Sequence, residues 1–285
     1  GGDELFGGYL TYRATQLHGR FVARLPQLLR AGLARVAHGV ATSERKVSFS
    51  YKLRRFLRAA HLPNGQAHFS WNGTWLPEEA EALLRPGPAR EAIRGALPQL
   101  AGRHGLADRC TLLALQRADL MEYLPNDILV KTDRMSMAHG LETRAPFLEH
   151  EFVEWALRLP ARQKVSPGGE LKSLLRLAAR QVYGEGIADR PKQGFSIPIH
   201  AWVRGPLGAT VRELLSPASL KAVEVLDPAS VQRLVEDHFS GRRSYGFELW
   251  GLAVLMAWHR ARIQRPPDRP QSDDVFERRF ELLQQ

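Results

Sequence analysis

The 285-residue chain has a single cysteine, Cys110, which excludes a disulfide framework within it and suits a reducing cytoplasm. Followed by Thr111-Leu112-Leu113-Ala114-Leu115, it reads as a small buried hydrophobe rather than a nucleophile. No apolar run approaches the roughly 20 residues that span a bilayer, so no membrane partner is expected. The ten histidines show no metal-ligand spacing and no Cys/His cluster exists, which argues against a histidine-held metal. Strand signals are weak throughout, and there is no internal repeat or low-complexity tract. Lysine is scarce: Lys46, Lys52, Lys131, Lys164, Lys172, Lys192 and Lys221 stand against 33 arginines. No methionine opens the chain, and no strand precedes its first motif, although a phosphate-binding turn normally follows one. The chain is therefore read as the C-terminal part of something longer.

Hydrophobic content of 44% and charged content of 25% fit a globular protein large enough to bury a full core. The net charge of +10 invites a nucleic-acid partner. The arginines, however, are spread along the chain, and the densest basic stretch, Arg45 to Arg58, also fits an amphipathic helix with its Phe49, Tyr51 and Phe56. No nucleic-acid partner is expected; a basic helical nucleic-acid module remains the alternative from another class.

Helical periodicity dominates. Helices are expected from Tyr9 to His18, across Phe21 to Val40 around Pro26, and at Ser48 to Ala60 with Phe49, Leu53, Phe56 and Leu57 on one face. A loop follows, with Pro63, Asn64-Gly65 and Asn72-Gly73 as turn signals. A helix starts at Pro77, with Glu78 and Glu79 in its first turn, and ends before Arg85-Pro86-Gly87-Pro88. Further helices are expected at Leu112 to Tyr123, at Asn126 to His139 with Gly140 as its stop, at Glu149 to Leu159, and at Glu170 to Tyr183. Asp189 to Pro198 reads as a loop. The last helices are Val203 to Leu215, Pro228 to Phe239 and Tyr245 to Ile263. Residues 1–263 form the body and 264–285 a mobile tail.

Chemistry concentrates in a few places. The opening Gly1-Gly2-Asp3-Glu4-Leu5-Phe6-Gly7-Gly8-Tyr9 places glycines, whose backbone can approach a ligand closely, around an acidic pair. The Asp3 carboxylate is a hard oxygen ligand of the kind Mg²⁺ prefers, so the motif could wall a Mg²⁺-polyphosphate site. The same spacing also describes a glycine turn before a helix whose N-terminus the two acids favour. Asp127 and Lys131 can pair along the 126–139 helix, and Glu142 and Arg144, two apart in an extended piece, read as an architectural ion pair. In an arginine-rich chain, Lys172 early in its helix and Lys192 in Arg190-Pro191-Lys192-Gln193-Gly194-Phe195 are compact point charges suited to a phosphate or an oxyanion. Each taken singly also fits a solvated surface position.

Together, GGDELFGGY at 1–9, LPNDILVKTDRMSMAHGLETRAPFLEHEFVEWALRLP at 124–160, LKSLLR at 171–176 and RPKQGFSIPIHAW at 190–202 resemble the synthetase domain of the glutamine-hydrolysing asparagine synthetase family, covering residue 1 to about 260. The resemblance implies an α/β parent of the ATP-pyrophosphatase type with a parallel sheet, of which this portion is predominantly α-helical. It implies ATP and Mg²⁺ as cofactors, aspartate or another carboxylic acid as substrate, ammonia from a separate glutaminase domain, a cytoplasmic location and a homodimer. By position, Asp3 would be the Mg²⁺-pyrophosphate ligand, Gly1 and Gly2 would line the nucleotide, Lys172 would hold its phosphates, Lys192 would stabilise the transition state and Glu4 would contact substrate. The family's glutaminase domain, its Ser-Gly-Gly-x-Asp-Ser loop and the acidic residue before Gly1 have no counterpart here, so the isolated chain is expected to be inactive. Lasso-peptide cyclases, β-lactam synthetases and polysaccharide-cluster amidotransferases share the scaffold and adenylate other carboxylates. A non-catalytic scaffold keeping relics of the site is a further alternative.

Overall fold

The computed structural model describes residues 1–39, 49–107, 110–190 and 197–264. They are predominantly helical, as expected of this portion. No named strand occurs among the described residues, where an isolated antiparallel bridge joins Val165 and Leu171, so the parallel sheet implied for the parent has no counterpart among them. The chain divides into two compact units, Gly1–Ile197 and Pro198–Gln285, and the boundary falls inside the segment read as a loop.

In the first unit, the opening helix Gly2–Phe6 stops at Gly7, whose φ of 68° is left-handed. Leu5 and Phe6 are buried with Ala156 of helix His150–Arg158, beneath Phe152, Leu174 and Leu175. Helix Leu10–Leu17 follows as expected and passes into a wider π-helical turn, His18–Val22, before helix Gln27–Gly39. Helix Phe49–Arg58 forms, but Phe49 is exposed rather than packed.

The expected loop after residue 60 is instead helix Asn64–Asn72, with Gly65, Ala67, His68, Phe69, Ser70 and Trp71 all buried. Burial on every side erases the apolar stripe that marks a helix in sequence. The Asn64-Gly65 pair belongs to a helix start pressed against Leu106, where a Cβ on residue 65 would collide with the Leu106 carbonyl. His68 ties this helix to the core: its Nδ1 lies 3.0 Å from Thr15 Oγ1 and its Nε2 3.1 Å from Asp119 Oδ1, all three residues being fully buried. Tyr12 stacks on the same ring.

Helix Pro77–Glu81 starts as expected, with the Glu79 carboxylate accepting from Leu76 N–H. Helix Pro88–Arg103, to which the sequence reading assigns nothing, runs through Pro98. Helix Leu112–Met121 is followed by a π-helical turn, Leu124–Leu129, and helix Val130–Met137, so the expected 126–139 helix is divided. Gly140, at φ 67°, follows it as expected. The Glu142–Arg144 ion pair forms, at 2.5 Å, on the surface. The helix expected from Glu170 begins at Ser173, because Glu170 and Leu171 belong to the hairpin closed by the Val165–Leu171 bridge.

In the second unit, helix Gly246–Arg262 packs against Ile199–Arg204, Gly208–Leu214 and Pro228–Phe239. The expected 203–215 helix is two helices, broken at Gly205-Pro206, where proline offers no N–H to continue the ladder. Ile199, Val203, Val211, Leu215 and Leu249 are buried here. No helix among the described residues is long and apolar enough to cross a membrane. The expected tail lies, beyond Gln264, outside the described residues.

Candidate functional site

Asp3 and Glu4 both fall in the first turn of the opening helix, and consecutive helical residues point about 100° apart. Their carboxylates therefore have different fates. Asp3 reaches the surface, about one quarter exposed, while Glu4 turns inward and is 1% exposed. Tyr9 donates its phenol proton to Glu4 Oε1 at 2.5 Å. Burial and then the Glu4 carboxylate push the Tyr9 phenol far above its ordinary range, so it stays protonated. Tyr123, in edge contact with Tyr9, is pushed up to about 12, by burial and then by Asp127.

The Asp3 carboxylate faces the only non-glycine residue with positive φ among those described. Lys172 precedes helix Ser173–Tyr183 with φ 57° and ψ 33°, and its Nζ lies 2.8 Å from Asp3 Oδ1. The two residues are far apart in sequence and brought together by the hairpin after helix Ala161–Lys164. Gly8 makes the approach possible, since a Cβ there would collide with both Asp3 Oδ1 and Lys172 Cε. Gly1 and Gly2 lie under Leu148 and Phe147 of the Pro146–Leu148 turn; a Cβ on residue 2 would come 3.2 Å from the Phe147 ring. Three of the sequence motifs thus meet at one corner.

Of the residues singled out in sequence, Gly1, Gly2, Asp3, Glu4 and Lys172 are together, and Lys192 lies outside the described residues. Sequence reasoning missed Gly8, Tyr9 and the buried Gln116, whose Nε2 donates to the Glu4 and Leu5 carbonyls. The tyrosine and Gly8 sit inside the recognised motif, but only a contact map assigns them work. Cys110 Sγ sits 3.3 Å from the Leu106 carbonyl, and burial pushes its thiol up, away from nucleophile chemistry.

No group of three or more His, Cys, Asp or Glu that could hold a metal occurs among the described residues. With Glu4 taken by Tyr9, the described side chains of the corner offer the Asp3 carboxylate beside the Lys172 amine. That donor set fits Mg²⁺ bound through a single carboxylate with phosphate oxygens completing its shell, and it does not fit an all-protein metal cage.

The corner thus joins an acid–amine pair to glycines whose backbone lies against neighbouring side chains. The asparagine synthase family model matches residues 1–260, and the chain belongs to that family. A Mycobacterium tuberculosis protein provisionally named asparagine synthetase (glutamine-hydrolysing) is 31% identical over 264 residues, 91% of this chain and 38% of its own length. Asparagine synthetase (glutamine-hydrolysing) 1 of Bacillus subtilis is 27% identical over 272 residues, 93% of this chain and 40% of its own. A Gibberella zeae protein named amidase chry2 is 24% identical over 263 residues, 84% of this chain and 38% of its own. The chain therefore spans about two fifths of the length of these relatives. No solved structure matches it.

Proposed function

We propose that this chain is the helical part of an ATP-dependent ligase that converts aspartate to asparagine. In this reading the aspartate side-chain carboxylate attacks the α-phosphorus of ATP, forming β-aspartyl-adenylate as the bond to pyrophosphate breaks. Ammonia released from glutamine by a separate glutaminase domain attacks the acyl carbon, AMP leaves, and the surplus proton passes to solvent. The observation that carries the reading is the 2.8 Å Asp3–Lys172 pair in the left-handed hairpin corner, within a family-model match running from residue 1.

The pair is self-neutralising as it stands. With nucleotide bound, Lys172 would turn to phosphate oxygens and Asp3 would be free to hold Mg²⁺. Mg²⁺ there would offset the charge building on the leaving pyrophosphate. Lys192 keeps the role of a second cation on the transition state. Glu4, buried behind the corner, acts through Tyr9 by fixing its phenol rather than by touching substrate. Gly1 and Gly2 supply the close-approaching backbone of the nucleotide wall.

The test is aspartate-dependent exchange of labelled pyrophosphate into ATP by a longer protein carrying this chain. Asp3→Asn is expected to lower kcat by about 10²-fold, the scale of losing one transition-state stabiliser. Wild-type rates in Asp3→Asn and Lys172→Met would remove the site from the chemistry. The isolated chain is expected to lack synthetase activity and to bind ATP more weakly than micromolar; a micromolar affinity overturns that part. Similarity to a protein that does not carry the asparagine synthetase name favours one second reading, a different carboxylate in place of aspartate. A panel of acids in the exchange assay separates the two.

A further inference from the structure

The opening helix is five residues long, so most of its carbonyls lack an intrahelical partner. The Asp3 carbonyl accepts from Gly7 N–H within the ladder, and further donors come from outside it. Gly8 N–H donates to the Asp3 carbonyl at 2.7 Å, and Gln116 Nε2 donates to the Glu4 and Leu5 carbonyls at 2.5 and 2.7 Å. Gln116 is fully buried, so water does not substitute for it. The other end of its amide, Oε1, accepts from Lys164 Nζ at 2.9 Å. Lys164 is itself 1% exposed, and no carboxylate among the described residues pairs with it. Burial alone pushes its amine down to about 8.

The arrangement has a direction. An ammonium has donors and no acceptor, so it can face only the oxygen of the amide, and this sets the NH₂ end on the two carbonyls. Rotated by half a turn, the amide would put oxygen against oxygen. Lys164 also begins the hairpin that ends in Lys172: Val165 bridges Leu171, and Ser166 N–H donates to the Glu170 carbonyl at 3.0 Å. One hairpin thus grips the helix twice, through Gln116 at its last carbonyls and through Lys172 at Asp3.

We infer that Lys164 is a positioning residue: by orienting Gln116 it fixes the opening helix, and with it Asp3, at the distance Lys172 requires. The catalytic consequence rests on the function proposed above; the geometric claim stands without it. Lys164→Met keeps the bulk of the side chain and removes a buried charge that has no counter-ion. That gain offsets the lost hydrogen bond, so the melting temperature should move by only a few degrees. Amide protection at residues 3–8 should nevertheless fall at least tenfold, with helix Pro228–Phe239 unchanged as internal control. In the longer protein, kcat for pyrophosphate exchange should fall about tenfold with KM for ATP within about twofold. Gln116→Leu should produce the same selective loss, which tests the pair should the methionine variant fail to fold. Lys164→Arg should restore protection. Unchanged protection at residues 3–8 overturns the inference, and so does a loss shared equally by the whole chain. If the wild-type longer protein exchanges no pyrophosphate with any acid, the proposed function fails while the protection measurement still decides this point.

Discussion

Lys172 holds a backbone conformation that costs a non-glycine residue about 1–2 kcal/mol. The return is an amine aimed at Asp3 rather than along the helix it precedes. Lys172→Asn substitutes a residue that tolerates this conformation and loses only a partly exposed ion pair, worth about 0–1 kcal/mol. Its melting temperature, read by circular dichroism, should be unchanged or slightly higher. Exchange activity in the longer protein should drop at least about 10²-fold. A large loss of stability instead would make the amine a structural tie. The sequence marked Lys172 as a lysine among arginines, early in its helix and, by resemblance, a holder of phosphates, but it did not mark this conformation. Its φ depends on where the hairpin meets the opening helix, a long-range fact that no local propensity carries. The division of labour between Asp3 and Glu4 was half legible: adjacent helical residues must diverge, but which one faces the core follows from Tyr9 and Gln116.

Helices with one apolar stripe, such as Pro228–Phe239 and His150–Arg158, were readable because half their surface stays polar. Asn64–Asn72 was not, since it is buried all round and begins with residues that elsewhere make turns. Its contact with Leu106 gives a direct check. Gly65→Ala drives a Cβ into the Leu106 carbonyl and should cost about 1–3 kcal/mol, read as a lower denaturant midpoint with an unchanged slope. A stability equal to wild type would mean the helix can slide away, contrary to its anchoring by His68 on Thr15 and Asp119. The division of the 203–215 stretch was legible in Pro206 but masked by apolar residues on either side of it.

At the scale of the whole chain, the second unit carries an acid-sensitive group of its own. His238 is fully buried with its Nδ1 accepting from Tyr245 N–H, and burial, then Arg204 and His200, push it down to about 4. The unfolded imidazole, near 6.5, takes up a proton that the folded one refuses. Stability is therefore complete above pH 6.5 and falls as the pH drops toward 4, by about 3 kcal/mol. Amide protection of helix Pro228–Phe239 should follow that slope, and His238→Gln should flatten it; an equal slope in the variant refutes the assignment. Charge and composition constrained the molecule less than its motifs did, because the arginines behind the +10 are spread along the chain rather than gathered in one stretch. The hairpin that carries Lys164 and Lys172 sets a final constraint. Its residue count works as a ruler: one residue inserted or deleted between the two lysines would keep one amine on its target and swing the other out of reach. Chimaeras built from this chain should therefore place their splice junctions outside 164–172, where a length change leaves both anchors in register.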